Sequence, residues 1–276
     1  MPPKYSRLLI PRKAKDDALA GLLWLHGPLG LAEEGQDLVA CFRDAGQARA
    51  ARAVLESRGY RAKLSTDIPE GDPLEAFRRA SRPFAVGRGL WIDPGEPNGL
   101  KAPASRIALR IPASRAFGTG GHASTRLALH ALEEEVRPES RVLDAGTGSG
   151  ILALAAAALG AERAVAFDTD SDAVFVARQN CVGHSFARGI ALFVGDVGAL
   201  GGRFSIVVAN MLPEEFLPLL PSLVARVGAT GRLILSGIPA EREAEIARRA
   251  RGRRLRLTSR YREEDWSCLC LTRGSS

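Results

Sequence analysis

The sequence has few of the features that mark secreted, metal-binding or membrane-spanning chains. Its four cysteines are scattered over 276 residues, and Cys268-Leu-Cys270 has neither the spacing of a zinc knuckle nor a second pair to complete four ligands. The longest apolar run, residues 151–160, falls well short of the ~20 residues that cross a bilayer. We therefore predict reduced core thiols, no bound metal and no membrane span.

The N-terminus also lacks a secretory signal, because Met1-Pro-Pro-Lys4 leads into no long apolar stretch and no small-residue cleavage site. We expect the chain to stay in the cytoplasm. Hydrophobic residues make up 46% and charged residues 25%, which is an ordinary soluble composition. Lysine and arginine number 38 against 31 acidic residues, a net charge of +7. Such a charge attracts acidic or RNA-rich partners, but it is also common in proteins with no nucleic-acid role.

Residues 1–66 alternate short elements in the order strand, helix, strand, strand, helix, strand. This pattern is typical of a small ferredoxin-like domain. Residues 67–115 form a predicted connection that opens with turn residues, continues as a short helix at 73–80 and ends in bridging strands at 84–92 and 106–111.

Residues 116–276 alternate apolar strands with amphipathic helices, which predicts a doubly wound α/β domain with a mostly parallel sheet covered on both faces. Seven strands are expected, the last two as an antiparallel finish. Sheets of this kind bind ligands at the carboxyl ends of their strands. The predicted strands are 141–144, 163–167, 191–194, 205–209, 232–235, 255–260 and 267–272.

A glycine-rich loop lies directly after the first of these strands and directly before an apolar helix. It reads Asp144-Ala-Gly146-Thr-Gly148-Ser-Gly150, and glycines let a backbone turn tightly and approach a ligand closely. Asp168 ends the next strand, 22 residues after Gly146, where an acidic side chain meets ribose hydroxyls in such folds. The third glycine falls one position earlier than in the dinucleotide fingerprint. With Asp144 before the loop, this spacing favours S-adenosylmethionine over a nicotinamide cofactor.

Two polar residues follow the next strands of the predicted sheet. Asp196 could accept a hydrogen bond from an adenine amino group, although a helix N-cap is an equally good interpretation. Asn210 follows the apolar strand 206–209, and its side-chain carbonyl could orient an attacking amine. We favour a substrate role for Asn210.

The most distinctive string in the chain is Ala116-Phe117-Gly118-Thr119-Gly-Gly-His122-Ala-Ser-Thr125. It places glycines, hydroxyls and a histidine just before a predicted helix at 126–135, where a flexible backbone can wrap a ligand. A histidine such as His122 is more often a capping or surface residue than a catalyst.

These motifs resemble those of the PrmA family, whose members methylate protein eleven of the large ribosomal subunit. The resemblance covers nearly the whole chain, because the N-terminal pattern and the connection also look like that family's substrate-recognition domain and linker. Gly121, Ala123, Ser124, Met211 and Pro213 depart from the family's usual residues. The similar segments are 117–125, 142–153, 168–170, 208–212 and 235–238.

The resemblance implies that loop 117–122 closes over a cofactor site. Asn210 and His122 are the catalytic candidates. The cofactor-binding candidates are Phe117, Gly118, Thr119, Thr125, Asp144, Gly146, Gly148, Asp168, Asp196 and Asn210.

The implied reaction is methyl transfer from S-adenosylmethionine to a lysine or N-terminal amine of a large-subunit ribosomal protein, by direct displacement. We expect a monomer without a membrane partner, for which an indirect contact with ribosomal RNA is possible. One alternative is an RNA methyltransferase, because a ferredoxin-like domain can bind RNA and residues 248–256 are basic. Another is a cofactor-binding, ribosome-associated module without turnover, since fold alone does not establish catalysis.

Overall fold

The computed structural model describes residues 5–11, 17–28, 30–34, 37–68, 82–94, 101–112 and 118–273. By their contacts, these residues divide into two compact units. The first unit lies mainly within Met1–Pro83, and the second comprises Phe84–Asp93, Lys101–Ile111 and Gly118–Ser276.

The first unit is a four-stranded antiparallel sheet with two helices, in the strand order β2-β3-β1-β4. Helix α2 begins after Asp44, whose side chain accepts the Gly46 N–H and so caps the helix. Its buried residues Ala48, Ala51 and Leu55 share a core with the sheet. The elements are β1 Tyr5–Pro11, α1 Asp17–Trp24, β2 Gly30–Glu34, β3 Asp37–Phe42, α2 Ala45–Ser57 and β4 Lys63–Ile68.

The second unit is built on a seven-stranded sheet with the order β10-β9-β8-β11-β12-β14-β13. Its first five strands are parallel and β14 and β13 are antiparallel, so the predicted doubly wound fold is confirmed. The strands are β8 Arg141–Ala145, β9 Arg163–Asp168, β10 Ile190–Val194, β11 Phe204–Asn210, β12 Val227–Pro239, β13 Leu255–Glu263 and β14 Trp266–Arg273. The helices are α3 Ala123–Glu135, α4 Ile151–Ala158, α5 Ser171–Cys181, α6 Pro213–Arg226 and α7 Glu243–Arg251.

The single strand expected at 84–92 is wrong, because the chain turns back within it. Strand β5 Phe84–Val86 and strand β6 Leu90–Asp93 form a hairpin, and β7 Ile107–Arg110 runs parallel to β6. The turn uses a left-handed glycine, Gly87 with φ +54°, and the Glu133 carboxylate of α3 accepts the Arg88 N–H. The hairpin thus packs on the core of the second unit.

Two other element bounds differ from the prediction. Helix α3 begins at Ala123 instead of residue 126, because His122 caps it. Strand β12 is much longer than 232–235, because a register shift lets its start pair with the first residue of β11. The helix expected at 73–80 lies outside the described residues. The division at 66/67 and 115/116 stays a prediction.

The four cysteines are free thiols, three of them buried. No described helix has the length and apolar character of a membrane span.

Candidate active site

The predicted site residues gather at the carboxyl edge of the parallel strands. Strand β8 is flanked by β9 on one side and by β11 on the other, so the chain reverses its winding direction there. Doubly wound sheets bind ligands in the crevice at such a switch point. Gly146, Asp168 and Asn210 lie at the ends of these three neighbouring strands.

The glycine loop adopts a backbone that favours glycine. Gly146, Gly148 and Gly150 have φ values of +68°, +53° and +82°, in the left-handed region that costs other residues energy. A Cβ atom on Gly146 would also lie 2.5 Å from the Met211 side-chain methyl. The loop is therefore in direct contact with the segment that follows Asn210.

Asp168 braces the loop from the neighbouring strand. One carboxylate oxygen accepts the Gly148 N–H at 2.9 Å, and the other accepts the Asp170 N–H at 3.1 Å. The side chain is only half-buried, and each carboxylate oxygen can accept a second hydrogen bond. Asp168 can hold the loop and still accept hydroxyl groups from a ligand.

Asp144 is fully buried beneath the loop. Its Oδ2 accepts the Thr147 hydroxyl at 2.6 Å and the Ala153 N–H at 3.1 Å, while Oδ1 has no hydrogen-bond partner among the described residues. Burial raises the pKa of Asp144 to about 7, more than these hydrogen bonds lower it. The hydrogen bond from Ala153 to the Asp144 carboxylate satisfies one N–H donor in the first turn of helix α4 within the protein.

Asn210 and Thr125 meet although 85 residues separate them in sequence. The Asn210 amide donates to the Thr125 hydroxyl at 3.1 Å, and both side chains are buried. Asn210 Oδ1 has no hydrogen-bond partner among the described residues. A buried amide oxygen left open at a strand end can accept a hydrogen bond from a ligand amine.

The segment Gly118–His122 is fastened to the glycine loop. The Ser149 hydroxyl donates to the Gly118 carbonyl, and Gly118 has φ +97°. Gly120 is buried with φ +91°, and a Cβ there would lie 3.0 Å from the Ile151 side chain. Thr119 lies half-buried between these glycines. Phe117, also predicted for the site, lies outside the described residues.

His122 has a clear structural position at the start of helix α3. Its Nδ1 accepts the Ser124 N–H at 3.3 Å, and its ring makes an edge contact with Trp266, with 4.8 Å between centroids. Asp196 is exposed, and its carboxylate accepts the Gly198 N–H at 2.6 Å to cap a short turn. Each contact matches the capping interpretation, and roles for His122 in catalysis and Asp196 in adenine binding stay predictions.

The sequence reasoning missed Ser149 and Asn180 as supports of the site. Ser149 holds the Gly118 segment, and the buried Asn180 amide of helix α5 donates to the Ser149 carbonyl at 2.8 Å. Ser149 lies between Gly148 and Gly150, and a hydroxyl between two glycines of the loop was the sequence feature that could have identified it. Nothing local in the sequence indicates Asn180.

A family model and curated relatives of this chain share one description. A family model described as ribosomal protein L11 methyltransferase (PrmA) matches residues 32–274. The chain belongs to this family. A ribosomal protein L11 methyltransferase of Geobacter sulfurreducens is 41% identical over 204 residues, covering 74% of this chain and 67% of that protein. One from Trichlorobacter lovleyi is 35% identical over 237 residues, covering 80% and 77%.

A solved structure supports the same family. The ribosomal protein L11 methylase of Lactobacillus delbrueckii subsp. bulgaricus aligns with a TM-score of 0.64 and 28% identity, over 71% of this chain and 100% of that one. The resemblance inferred from the motifs is thus confirmed. The chain is an S-adenosylmethionine-dependent methyltransferase.

Proposed function

We propose that the chain methylates amines of ribosomal protein L11, at lysine side chains, the N-terminus or both. The observation that carries this proposal is the buried Asn210 carbonyl oxygen, which has no hydrogen-bond partner among the described residues, in a member of this family. An amine carries N–H donors, so it matches an acceptor at that place.

The crevice suits a cationic cofactor. S-adenosylmethionine, when bound, supplies a methyl group on a positively charged sulfur. The glycine loop would let the backbone approach it, and Asp168 would accept its ribose hydroxyls. A positive charge near Asp144 would also favour the ionised carboxylate, whose Oδ1 lacks a described partner.

The protein contributes mainly orientation to the reaction. The Asn210 amide donates to the Thr125 hydroxyl, and this hydrogen bond fixes the orientation of the amide group. Asn210 Oδ1 is thereby held in one orientation for accepting a hydrogen bond from an incoming amine. The amine must be uncharged to attack, and a partly desolvated crevice lowers an amine pKa. No side chain is assigned as the base, and bulk water takes the proton before the amine binds.

Substrate recognition is assigned to the first unit. Its four-stranded sheet lies outside the methyltransferase core and contains none of the cofactor-binding candidates. We expect the chain to act as a monomer, with no ribosomal RNA entering the crevice during methyl transfer.

The test is transfer of labelled methyl groups to purified L11 by the wild type, Asn210→Ala and Asn180→Ala. Losing a fixed amine acceptor should lower kcat about 10²-fold in Asn210→Ala, with cofactor affinity little changed. Asn180→Ala, a matched change beneath the glycine loop, should instead weaken cofactor binding. No transfer by the wild type, or full kcat in Asn210→Ala, would contradict the proposal.

A further inference from the structure

The charge of this protein is concentrated in one helix and the strand that follows it. Residues 243–263, which span α7 and β13, contain eight arginines and three glutamates. Their net charge is +5, out of +7 for the whole chain. Residues 246–262 contain no acidic side chain at all.

Part of this charge is neutralised by ion pairs with Glu243 and Glu245. The buried Glu243 carboxylate pairs with Arg260 at 3.3 Å and with Arg262 at 2.6 Å, and Glu245 pairs with Arg249 at 2.8 Å. Five arginines around the turn between α7 and β13 remain, which we call the arginine turn. They are exposed and make no ion pair with any described residue: Arg248, Arg251, Arg253, Arg254 and Arg256.

The arginine turn lies far from the catalytic edge of the sheet. Strand β13 runs antiparallel beside β14, so Glu263 lies opposite Trp266 while Leu255 lies opposite Arg273. Trp266 in turn pairs with Pro239 at the carboxyl end of β12, the end where Asn210 lies. At about 3.3 Å per residue, the length of β13 separates the two ends by about 25 Å. These arginines are therefore available for docking and not for chemistry.

The composition of the surface identifies the kind of partner. Protein interfaces have an apolar or aromatic centre, whereas the exposed side chains here are arginines with no exposed large apolar residue among 246–262. The one aromatic, Tyr261, is half-buried and packs against His130 with 5.0 Å between ring centroids. Without an aromatic platform, bases of single strands cannot stack. With a protein interface and base stacking both disfavoured, the binding mode that suits these arginines is contact with the phosphate groups of a nucleic acid.

We propose that the arginine turn docks the phosphate backbone of double-stranded RNA, without reading its sequence. The choice of RNA as the polyanion rests on the proposed function, because a ribosomal protein substrate is found with ribosomal RNA. The contact keeps the enzyme near structured RNA while the crevice acts on protein. Each arginine that neutralises a phosphate releases a counterion, so affinity depends steeply on salt.

The test measures binding of the full chain to a fluorescent 20-base-pair RNA duplex as salt is varied. The variant Arg251→Gln/Arg253→Gln/Arg256→Gln leaves Arg254, which has φ +59°, unchanged. Its affinity at 0.1 M salt should fall on the order of 10²-fold, and the slope of log K against log salt should fall by about 2 to 3.

The matched control removes the same charge elsewhere. Arg163→Gln/Arg178→Gln/Arg188→Gln alters three exposed arginines around β9 and β10, which lie at the opposite edge of the sheet from β13. This control should change the salt slope by less than 1. Equal losses in the two variants, or no duplex binding by the wild type, would overturn the proposal.

Two further readouts separate the partner classes. Tighter binding to polyglutamate than to the duplex would assign the surface to acidic proteins and refute RNA docking. Methyl transfer to free L11 should be equal in the wild type and both triple variants. If the wild type fails to methylate L11 but binds RNA through the arginine turn, the proposed function fails and the docking surface stands.

Discussion

Above neutral pH, the Asp144→Asn variant should be more stable than the wild type. Below pH 4, it should have no such advantage. Burial raises the pKa of Asp144 to about 7 from an ordinary 3.8, so the folded state prefers the protonated carboxyl. The stabilisation from the protonated form is complete below about pH 4 and is lost as pH rises through 7. Asparagine keeps an oxygen for Thr147 and Ala153 and cannot ionise.

The magnitude follows from the size of the shift. One pKa unit corresponds to 1.36 kcal/mol, so about three units give a full effect of about 4 kcal/mol. About two of these units fall between pH 5 and pH 8, so the stability gap between Asp144→Asn and the wild type should widen there by about 2–3 kcal/mol.

Urea unfolding of the two proteins at several pH values measures this gap directly. Asp265→Asn, the same change at an exposed turn residue, is the control and should show no widening. A gap that is constant from pH 5 to pH 8, or that narrows, would refute the description of Asp144 as a buried carboxyl that is forced to ionise.

Three further predictions concern the cofactor and the division of the chain. Asp168→Ala should weaken S-adenosylmethionine binding by about 1.5–3 kcal/mol in calorimetry, because a charged acceptor is lost; unchanged affinity in the folded variant would remove Asp168 from the site. Gly148→Val should abolish cofactor binding while the circular dichroism spectrum stays native, because φ is +53° there and a side chain would occupy the space of the ligand. Normal cofactor binding by this variant would mean that the loop serves only as a turn. A chain lacking residues 1–68 should bind cofactor but not methylate intact L11; full methylation would place recognition in the second unit.

Local patterns predicted the parts of the site that depend on spacing along the chain. The glycine loop and Asp168 follow consecutive strands, and parallel strands bring their carboxyl ends to one edge. The hydrogen bond that the Gly148 N–H donates to the Asp168 carboxylate is the direct result. The contact between Asn210 and Thr125 spans 85 residues, so only the family resemblance placed both in one site.

Other features depended on tertiary contacts that periodicity does not reveal. The hairpin between β5 and β6 turns at Gly87-Arg88-Gly89, a local signal that the prediction of one strand overlooked. It is stabilised by Glu133, more than 40 residues away, which no local pattern indicates. His122 caps helix α3 and Asp144 accepts an N–H of the first turn of α4, although both were predicted as candidate site residues. The same side-chain oxygen or nitrogen atom can accept a hydrogen bond from a helix N–H or from a ligand. Which of the two it does depends on the three-dimensional position of the side chain, which a local sequence pattern does not give.

Methyl transfer to L11 is tested most directly by mass spectrometry of the purified ribosomal protein after incubation with the enzyme and S-adenosylmethionine. Mass increments of whole methyl groups are expected on L11, and peptide sequencing should locate them on lysine or N-terminal amines. Ribosomal RNA in the same reaction should gain none. Methyl groups on RNA bases, or an unmodified L11 with intact cofactor binding, would contradict the proposed protein methylation.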